Sequence, residues 1–500
     1  MPFHFDPRRL ACSGLAAGLL AGCAGTPAPL AEDVADRVAR QQAAMAELRS
    51  ALPEQAMDAE TAVAYAAGHN LEVRLATLDR ALAAGAIDLA SIQMLPSLSV
   101  QAGYLKRDQV EAGSGDPLGR HTRSAELSWG ALEFGSAWLR TREAGERGLI
   151  YARREREQLG RIAIETRLAW LRVANAERRT AQMAEADRLL GHGEALLARL
   201  EAAGLRDPLV HAQYRDSLLA LRGQLRAVGD QASAARGELA GLLTSDRRQP
   251  PRVAADAVQQ DTLLASVTAT LAIPEDTLET HALRHRADLR ELDVQARILR
   301  REAQLTWLNA LPVLRLFYGR QYDTDLRLDP PYWQQQGYSL AFNLLGLASA
   351  ALQNRQLSIQ RGQTDLHQLA LGFAAVEQVR LGRERLALAL ADWRDAEARR
   401  ASSARIAEIR LARSPFYEDD ELEQARAQVT ALQAGVAADR AWEALLERYL
   451  QLLQASGVDV WPDALPAFEA DRPLEATAEA LRRHWQALPQ RVAELAREVG

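Results

Sequence analysis

The densest acidic cluster of the sequence consists of five carboxylates within six residues, Glu418, Asp419, Asp420, Glu421 and Glu423. Acidic side chains stabilise a helix N-terminus, because they interact favourably with the free N–H groups of its first turn. The cluster is therefore compatible with a simple helix start. If several copies of the chain surrounded a common axis, the same carboxylates would instead form a ring at a pore constriction and favour cations. The sequence leaves both interpretations open.

Two histidines, His281 and His285, stand four residues apart, a spacing that places both on one face of a helix. Such a pair can bind a metal ion only together with further ligands, and the sequence offers no third ligand nearby. Two ordinary surface histidines are the favoured interpretation. The chain also lacks cysteine clusters, glycine-rich phosphate loops and a nucleophile elbow. We therefore expect no catalytic residues, no metal site and no enzyme activity.

Cys23 is one of only two cysteines and ends the tetrapeptide Leu20-Ala21-Gly22-Cys23, after two arginines and a short apolar segment. This pattern resembles the lipobox of bacterial lipoproteins. The resemblance implies a signal peptide at 1–22 and a covalent lipid on Cys23, and no other cofactor is expected. An ordinary secretory signal is the alternative. No aspartate follows Cys23, which implies sorting to the outer membrane.

Composition favours long helices over compact domains. Aromatic residues make up 5% of the chain, while alanine, leucine, arginine and glutamate are abundant. The formal net charge of −6 is well mixed along the sequence and gives no basic surface for nucleic acid. Beyond the leader, no run of about eighteen uncharged apolar residues predicts a membrane helix.

An internal repeat organises the chain. The stretches 95–104 and 311–320 share leucine, proline, leucine and glycine at the same four positions, 216 residues apart. Further matches continue downstream at a separation of 213, for example Leu127 with Leu340. The chain is therefore predicted to contain two copies of one unit: helix, strand, strand and long helical hairpin.

Strands are predicted at 97–106, 122–132, 313–322 and 336–345, where apolar and polar residues alternate. Strands of about ten residues with one apolar and one polar face suit a membrane barrel wall, although a small soluble sheet has the same pattern. Four strands cannot close a barrel. Three chains would supply twelve, so the sequence predicts a homotrimer.

Long helices are predicted in the two stretches of about 65 residues that contain no proline, after 136 and after 349. Each stretch ends at a break that predicts a hairpin tip. The first tip, near 201–208, contains Ala203, Gly204 and Leu205, and the second, near 411–421, contains Ser414-Pro415.

The predicted segments follow from the leader, the repeat and the breaks. They are a signal peptide (1–22), a lipidated segment and linker (23–57), a first repeat (58–270), a second repeat (271–457) and a C-terminal periplasmic tail helix (458–500).

The order and spacing of these features resemble the TolC-like outer membrane factors. The resemblance covers about 58–457 and is carried by the duplicated strand starts, the Ala203-Gly204-Leu205 tip and the lipobox. It implies a mainly α-helical fold with a membrane β-barrel, four strands per chain, in which three chains form one duct through outer membrane and periplasm. The family usually has glycine at the second tip as well, where this chain has Tyr417.

This resemblance implies a passive exit duct of a tripartite efflux pump or type I secretion system. The expected location is the cell outer membrane, with a lipid anchor and an extension into the periplasm. The expected partners are outer membrane lipid, a periplasmic adaptor that docks at the first tip, and an inner membrane transporter. A periplasmic coiled-coil lipoprotein without a pore, acting as a scaffold or adaptor, is the alternative.

Overall fold

The computed structural model describes most of the chain, namely residues 30–49, 52–53, 55–106, 119–204, 208–245, 251–254, 260–324, 328–413, 420–462, 465 and 473–498. It divides into two compact units, Met1–Glu54 and Gln55–Gly500. In the first unit the described part is one helix, α1 (Leu30–Arg49), whose side chains from 34 to 47 are exposed. Cys23 lies outside the described residues.

The second unit contains both copies of the repeat. The first copy consists of α2 (Ala59–His69), α3 (Leu71–Ile92), β1 (Ser97–Lys106), β2 (Gly119–Gly130), α4 (Ala131–Ala202) and α5 (Pro208–Leu242). After α6 (Gln260–Ala272), the second copy consists of α7 (Glu275–His285), α8 (Ala287–Leu308), β3 (Val313–Asp323), β4 (Tyr332–Ala341), α9 (Leu344–Arg413) and α10 (Asp420–Ala455). A mainly helical chain with one small antiparallel sheet confirms the predicted fold class.

The strand bounds differ from the prediction by one residue at the end of β3 and by more at β2 and β4. Strand β2 begins three residues earlier than expected and ends at Gly130, because α4 already begins at Ala131. Strand β4 lies four residues earlier than the predicted 336–345. The side chain of Asn343 accepts a hydrogen bond from the backbone N–H of Gly346 (2.9 Å), which caps the start of α9 and ends the extended chain.

Helices α4 and α9 contain 72 and 70 residues, so each extends for about 105 Å at 1.5 Å per residue. Helix α4 pairs with α5, and α9 with α10, as two long antiparallel hairpins. No helix in the described part of the chain combines the length and apolarity needed to cross a membrane.

The second arms of the two hairpins, α5 and α10, lie side by side. Three side-chain hydrogen bonds join residues that are 209 positions apart: Tyr214 to Glu423, Gln433 to Gln224 (2.6 Å) and Arg440 to Gln231 (2.7 Å). A constant separation means that the two helices run in the same direction and in register. The duplicated helices are therefore neighbours in space, shifted by four residues relative to the 213-residue repeat.

The C-terminal segment forms two helices, α11 (Leu474–Gln486) and α12 (Leu488–Glu498), whereas one tail helix was predicted. Pro489 has no N–H for the hydrogen bond that a continuous helix would make there, and the helix is interrupted by a turn at Ala487. Helix α11 packs on α2 through Ala478, Leu481 and Trp485, which are buried.

Arg482 fixes α11 to the start of α2 by donating hydrogen bonds to the Asp58 carboxylate (2.9 Å) and to the Thr61 hydroxyl (3.1 Å). Burial opposes the charge on Asp58, but the hydrogen bonds from Arg482 and Thr61 outweigh it and lower the pKa of this carboxyl group. The tail is therefore a folded part of this region.

Glu443 lies partly buried between α10 and α4, where Asn175 donates a hydrogen bond to its carboxylate (2.7 Å). Burial raises the pKa of Glu443, although Asn175 and Arg172 oppose the rise. A group whose pKa is raised on folding stabilises the fold below its unfolded pKa and loses that contribution as pH rises through the folded pKa.

Glu443→Gln keeps an amide oxygen for Asn175, so it should raise the melting temperature in detergent at pH 8 by roughly 1–3 °C. At pH 4 the melting temperatures of the variant and the wild type should agree, and equal shifts at both pH values would contradict the assignment.

Candidate functional site

The four strands form one antiparallel sheet in the order β1-β2-β3-β4. The pairing of β2 with β3 joins the two copies of the repeat, with Leu127 opposite Tyr318. Strands β1 and β4 are the outer strands of the sheet, and each has one edge that pairs with no strand in the described residues. Unpaired backbone groups at such edges can pair with another chain.

One face of the sheet is apolar. Because directly paired residues point to the same side, the register assigns most of the large apolar side chains of the four strands to this face. They are Leu98, Val100, Leu127, Trp129, Leu314, Leu316, Tyr318, Tyr338 and Leu340. Their exposure is high, from 37% at Trp129 to 76% at Tyr338, so nothing in the described chain covers them. An uncovered apolar face of this size requires a non-aqueous partner.

The opposite face is mostly polar, and its large apolar side chains are Leu105, Val313, Phe317 and Trp333. The hydroxyl groups of Ser97 and Ser128 lie 2.7 Å apart across β1 and β2. At the end of the sheet that adjoins the helices, Arg315 forms an ion pair with Glu133 (2.5 Å). At the other end, the guanidinium of Arg120 donates to both carboxylate oxygens of Asp323 (Nε distances 2.7 and 2.8 Å). One sheet therefore separates an apolar surface from a hydrogen-bonded polar one.

The first tip follows the end of α4. Gly204 has a positive φ of +63°, the left-handed conformation that favours glycine, and its N–H bonds to the carbonyl oxygen of Glu201 (3.1 Å). A Cβ atom added to Gly204 would meet no atom within 4 Å. Ala203 and Gly204 are exposed, and Leu205 lies outside the described residues. The role of this tip in docking stays a prediction.

The acidic cluster is only partly within the described chain. Glu418 and Asp419 lie outside it, and Asp420 and Glu421 are described only as the first backbone positions of α10. Glu423 accepts a hydrogen bond from the Tyr214 hydroxyl of α5, and Arg426 lies 3.9 Å away. Glu423 therefore binds α10 to α5, a role that the sequence did not indicate. The predicted pore constriction is not tested by these contacts.

The two histidines of the sequence pair occupy one helical face, as their spacing requires. Their rings stack at 4.3 Å, and a ring nitrogen of His281 lies 2.7 Å from the carbonyl oxygen of Ser456. The expectation of two surface histidines is wrong for His281, which is buried against the end of α10. Within the described residues, no group of three His, Cys, Asp or Glu side chains could hold a metal ion.

Sequence reasoning missed two apolar stripes with seven-residue spacing. On α3 the apolar positions are spaced by four and three residues in turn, with Gly85 at one of them, and the large side chains are Leu71, Leu75, Leu78, Leu82, Leu89 and Ile92. On α9 the positions Leu345, Leu352, Ile359, Leu366 and Phe373 repeat every seven residues. All of these side chains are exposed, which is typical of coiled-coil seams whose partner helix is not in the same chain.

Comparison with solved structures identifies the architecture. The outer membrane channel CmeC of Campylobacter jejuni has a TM-score of 0.65 and 14% identity, with coverage of 85% of this chain and 89% of that chain. A membrane protein from Pseudomonas aeruginosa has a TM-score of 0.64 and 18% identity over 80% of this chain and 91% of that chain. The outer membrane protein VceC of Vibrio cholerae has a TM-score of 0.61 and 14% identity, covering 79% and 95%.

No protein-family model and no curated protein sequence matches the chain. At identities of this level the structural likeness establishes the fold. The likeness extends over most of each compared structure. The protein thus has the fold of the TolC-like outer membrane factors.

Proposed function

We propose that this chain is one subunit of a trimeric outer membrane exit duct that serves a tripartite efflux pump or a type I secretion system. The observation that supports this function most directly is the exposed apolar face of a sheet whose other face is polar and hydrogen-bonded. A lipid bilayer covers such a face along its whole area, and a water-filled lumen solvates the other. The likeness to outer membrane channels supports the same conclusion.

Two features support assembly from several copies. The edges of β1 and β4 can pair between neighbouring copies, so that three sheets close into one wall of twelve strands. The exposed seven-residue stripes of α3 and α9 give each copy two helical seams for its neighbours. Strand closure and helix packing then select the same assembly, with the long hairpins extending into the periplasm.

The proposal is tested by conductance. Protein extracted from the outer membrane should sediment as a trimer and open ion-conducting pores in a planar bilayer. A folded monomer without conductance would overturn the exit-duct function. The adaptor and the inner membrane transporter are identified by cross-linking from cysteines placed at exposed positions next to the first tip, such as Glu201.

Lipidation of Cys23 is a separate prediction, since the lipobox lies outside the described residues. The mature chain should begin at Cys23 and carry acyl chains, because Leu20-Ala21-Gly22-Cys23 follows a short apolar leader. Mass spectrometry of the mature N-terminus should show the added acyl mass, and Cys23→Ala should abolish it. An unmodified terminus at Ala24 would contradict the prediction.

The acidic cluster is predicted to favour cations at the narrow end of the duct. Threefold repetition would bring fifteen carboxylates close together, where their negative charges attract cations. Replacing Glu421 and Glu423 with glutamine should lower cation selectivity in single-channel recordings, by roughly a factor of two or more.

Glu423→Gln alone provides the control for this experiment. Glu423 already bonds to Tyr214, so its single replacement should loosen contact between α10 and α5 more than it changes selectivity. If the double variant keeps the wild-type selectivity and the wild-type block by divalent cations, the cluster is only a helix start.

A further inference from the structure

The apolar face of the sheet carries a charge pattern that the exit-duct function does not require. Within the described strands, every residue on this face that can carry charge is a base: Lys106, His121, Arg123 and Arg320. The two strand carboxylates Glu126 and Asp323 both point to the polar face. The charged side chains on this face are therefore all of one sign.

All four basic groups lie toward one end of the sheet. Residues 97, 130, 313 and 341 mark the end that adjoins the helices, whereas Lys106 and His121 lie at the opposite end. Arg123 and Arg320 occupy adjacent rows next to it, with Arg123 opposite Tyr322 and Arg320 opposite Ala125. The rows nearer the helices carry only leucine, tryptophan, tyrosine and glutamine on this face. A cationic band therefore borders an apolar band.

A shallow groove of about 760 Å³ lies between the rows of Arg123 and Arg320. The small side chains Ala102 and Ala125 line it together with Tyr322 and Tyr332. Arg123 and Arg320 stand at the groove, and the Arg123 guanidinium lies 5.7 Å from the centre of the Tyr322 ring. The groove thus offers apolar surface beside two guanidinium groups, and a ligand that fits it has an acyl chain and an anionic head.

We propose that this groove binds a phosphorylated glycolipid of the outer leaflet, with its acyl chain along Ala102 and Ala125 and its phosphate on Arg123 and Arg320. The assignment rests on the proposed function, because the helices lie in the periplasm and the cationic end of the sheet then reaches the outer leaflet. A guanidinium binds phosphate through paired, charge-assisted hydrogen bonds. A phosphomonoester carries more charge than a phosphodiester, so the pair of arginines favours the glycolipid over phosphatidylglycerol.

The first test keeps the protein unchanged and alters the ligand. Wild-type trimers are reconstituted in three kinds of vesicle, which contain the phosphorylated glycolipid, the same glycolipid without phosphate, or phosphatidylglycerol. After detergent extraction, native mass spectrometry measures the lipid that remains bound to the protein. The phosphorylated glycolipid should be retained at least about tenfold more than its dephosphorylated form. Equal retention of the two forms, or equal retention of phosphatidylglycerol, would overturn the assignment.

The second test uses variants of a single strand. Arg320→Gln removes a charge from the groove, whereas Arg315→Gln removes one from the opposite face of β3, where Arg315 pairs with Glu133. Arg320→Gln should lower glycolipid retention about tenfold while Arg315→Gln leaves it unchanged. Equal loss in both variants would show that net charge, and not the groove, holds the lipid.

Conductance is recorded on the same preparations. Loss of glycolipid retention with normal conductance supports the site and leaves the exit-duct function intact. Normal retention in Arg320→Gln overturns the site alone. Absence of trimers and conductance in the wild type overturns the exit-duct function itself.

Discussion

Arginine in place of Leu127 should destabilise the membrane-inserted sheet by about 2–4 kcal/mol. Leu127 lies on the apolar face between Leu98 of β1 and Tyr318 of β3, and its side chain is 45% exposed in the single chain. Bilayer hydrocarbon would surround a guanidinium at this position, where water cannot solvate it. The expected result is a large fall in the stability of the folded protein in lipid and in the amount that reaches the outer membrane.

Ser128→Arg is the matched control, because Ser128 follows Leu127 on the same strand but points to the polar face. There the added charge meets water and hydroxyl groups, so stability should change by no more than about 0.5 kcal/mol. Leu340→Arg and Ser339→Arg repeat the comparison on β4. Urea unfolding in lipid vesicles measures all four variants, and equal losses on the two faces would show that lipid does not cover the apolar face.

The repeat made much of this fold predictable from sequence. Helix α3 ends at Ile92 and helix α8 ends 216 residues later, at Leu308. The same 216 residues separate the start of β1 from the start of β3. Because the same pattern occurs in both copies of the repeat, weak alternation of apolar and polar residues in one copy is supported by the other. The long helices were equally predictable, because alanine and leucine have high helix propensity and no proline interrupts either stretch.

The end of β4 was not predictable from alternation alone. Tyr338, Leu340, Phe342 and Leu344 keep a period of two, and this favours a strand that continues to 345. The capping hydrogen bond at Asn343 overrides that pattern and starts α9 instead. Local capping decides the boundary because the chain leaves the sheet there, so cross-strand pairing no longer supports the extended conformation.

The sequence predicted which strand residues share a face of the sheet, but it did not predict the contacts between the helices. Period two assigns each strand residue to a face without reference to the rest of the chain. The bond from Tyr214 to Glu423 depends on which side of α10 meets α5, and only the packing of the two hairpins determines that side. The apolar stripe on α9 differs, because its seven-residue spacing can be read from the sequence alone. The exposure of its side chains in the structure is what indicates a partner helix from another chain.

Gly204→Val should abolish transport while the trimer still assembles and reaches the outer membrane. The φ of Gly204 is +63°, and a β-branched residue resists this conformation at a cost on the order of 1–3 kcal/mol. A Cβ at this position meets no neighbouring atom, so the substitution changes the backbone of the tip and not its packing. Since the tip is exposed and distant in sequence from the strands, its distortion should impair adaptor docking alone.

Gly191→Val is the matched control for this variant. Gly191 lies in α4, the helix that leads to the tip, and it is exposed and helical. A Cβ atom added to Gly191 would also meet no atom within 4 Å. Valine there should leave transport unchanged, and Gly204→Asn should retain most transport, because asparagine tolerates positive φ. Substrate efflux in cells and cross-linking to the adaptor measure the outcome. Normal efflux by Gly204→Val would show that the adaptor docks elsewhere, whereas equal loss in Gly191→Val would show that transport depends on the rigidity of α4 as a whole.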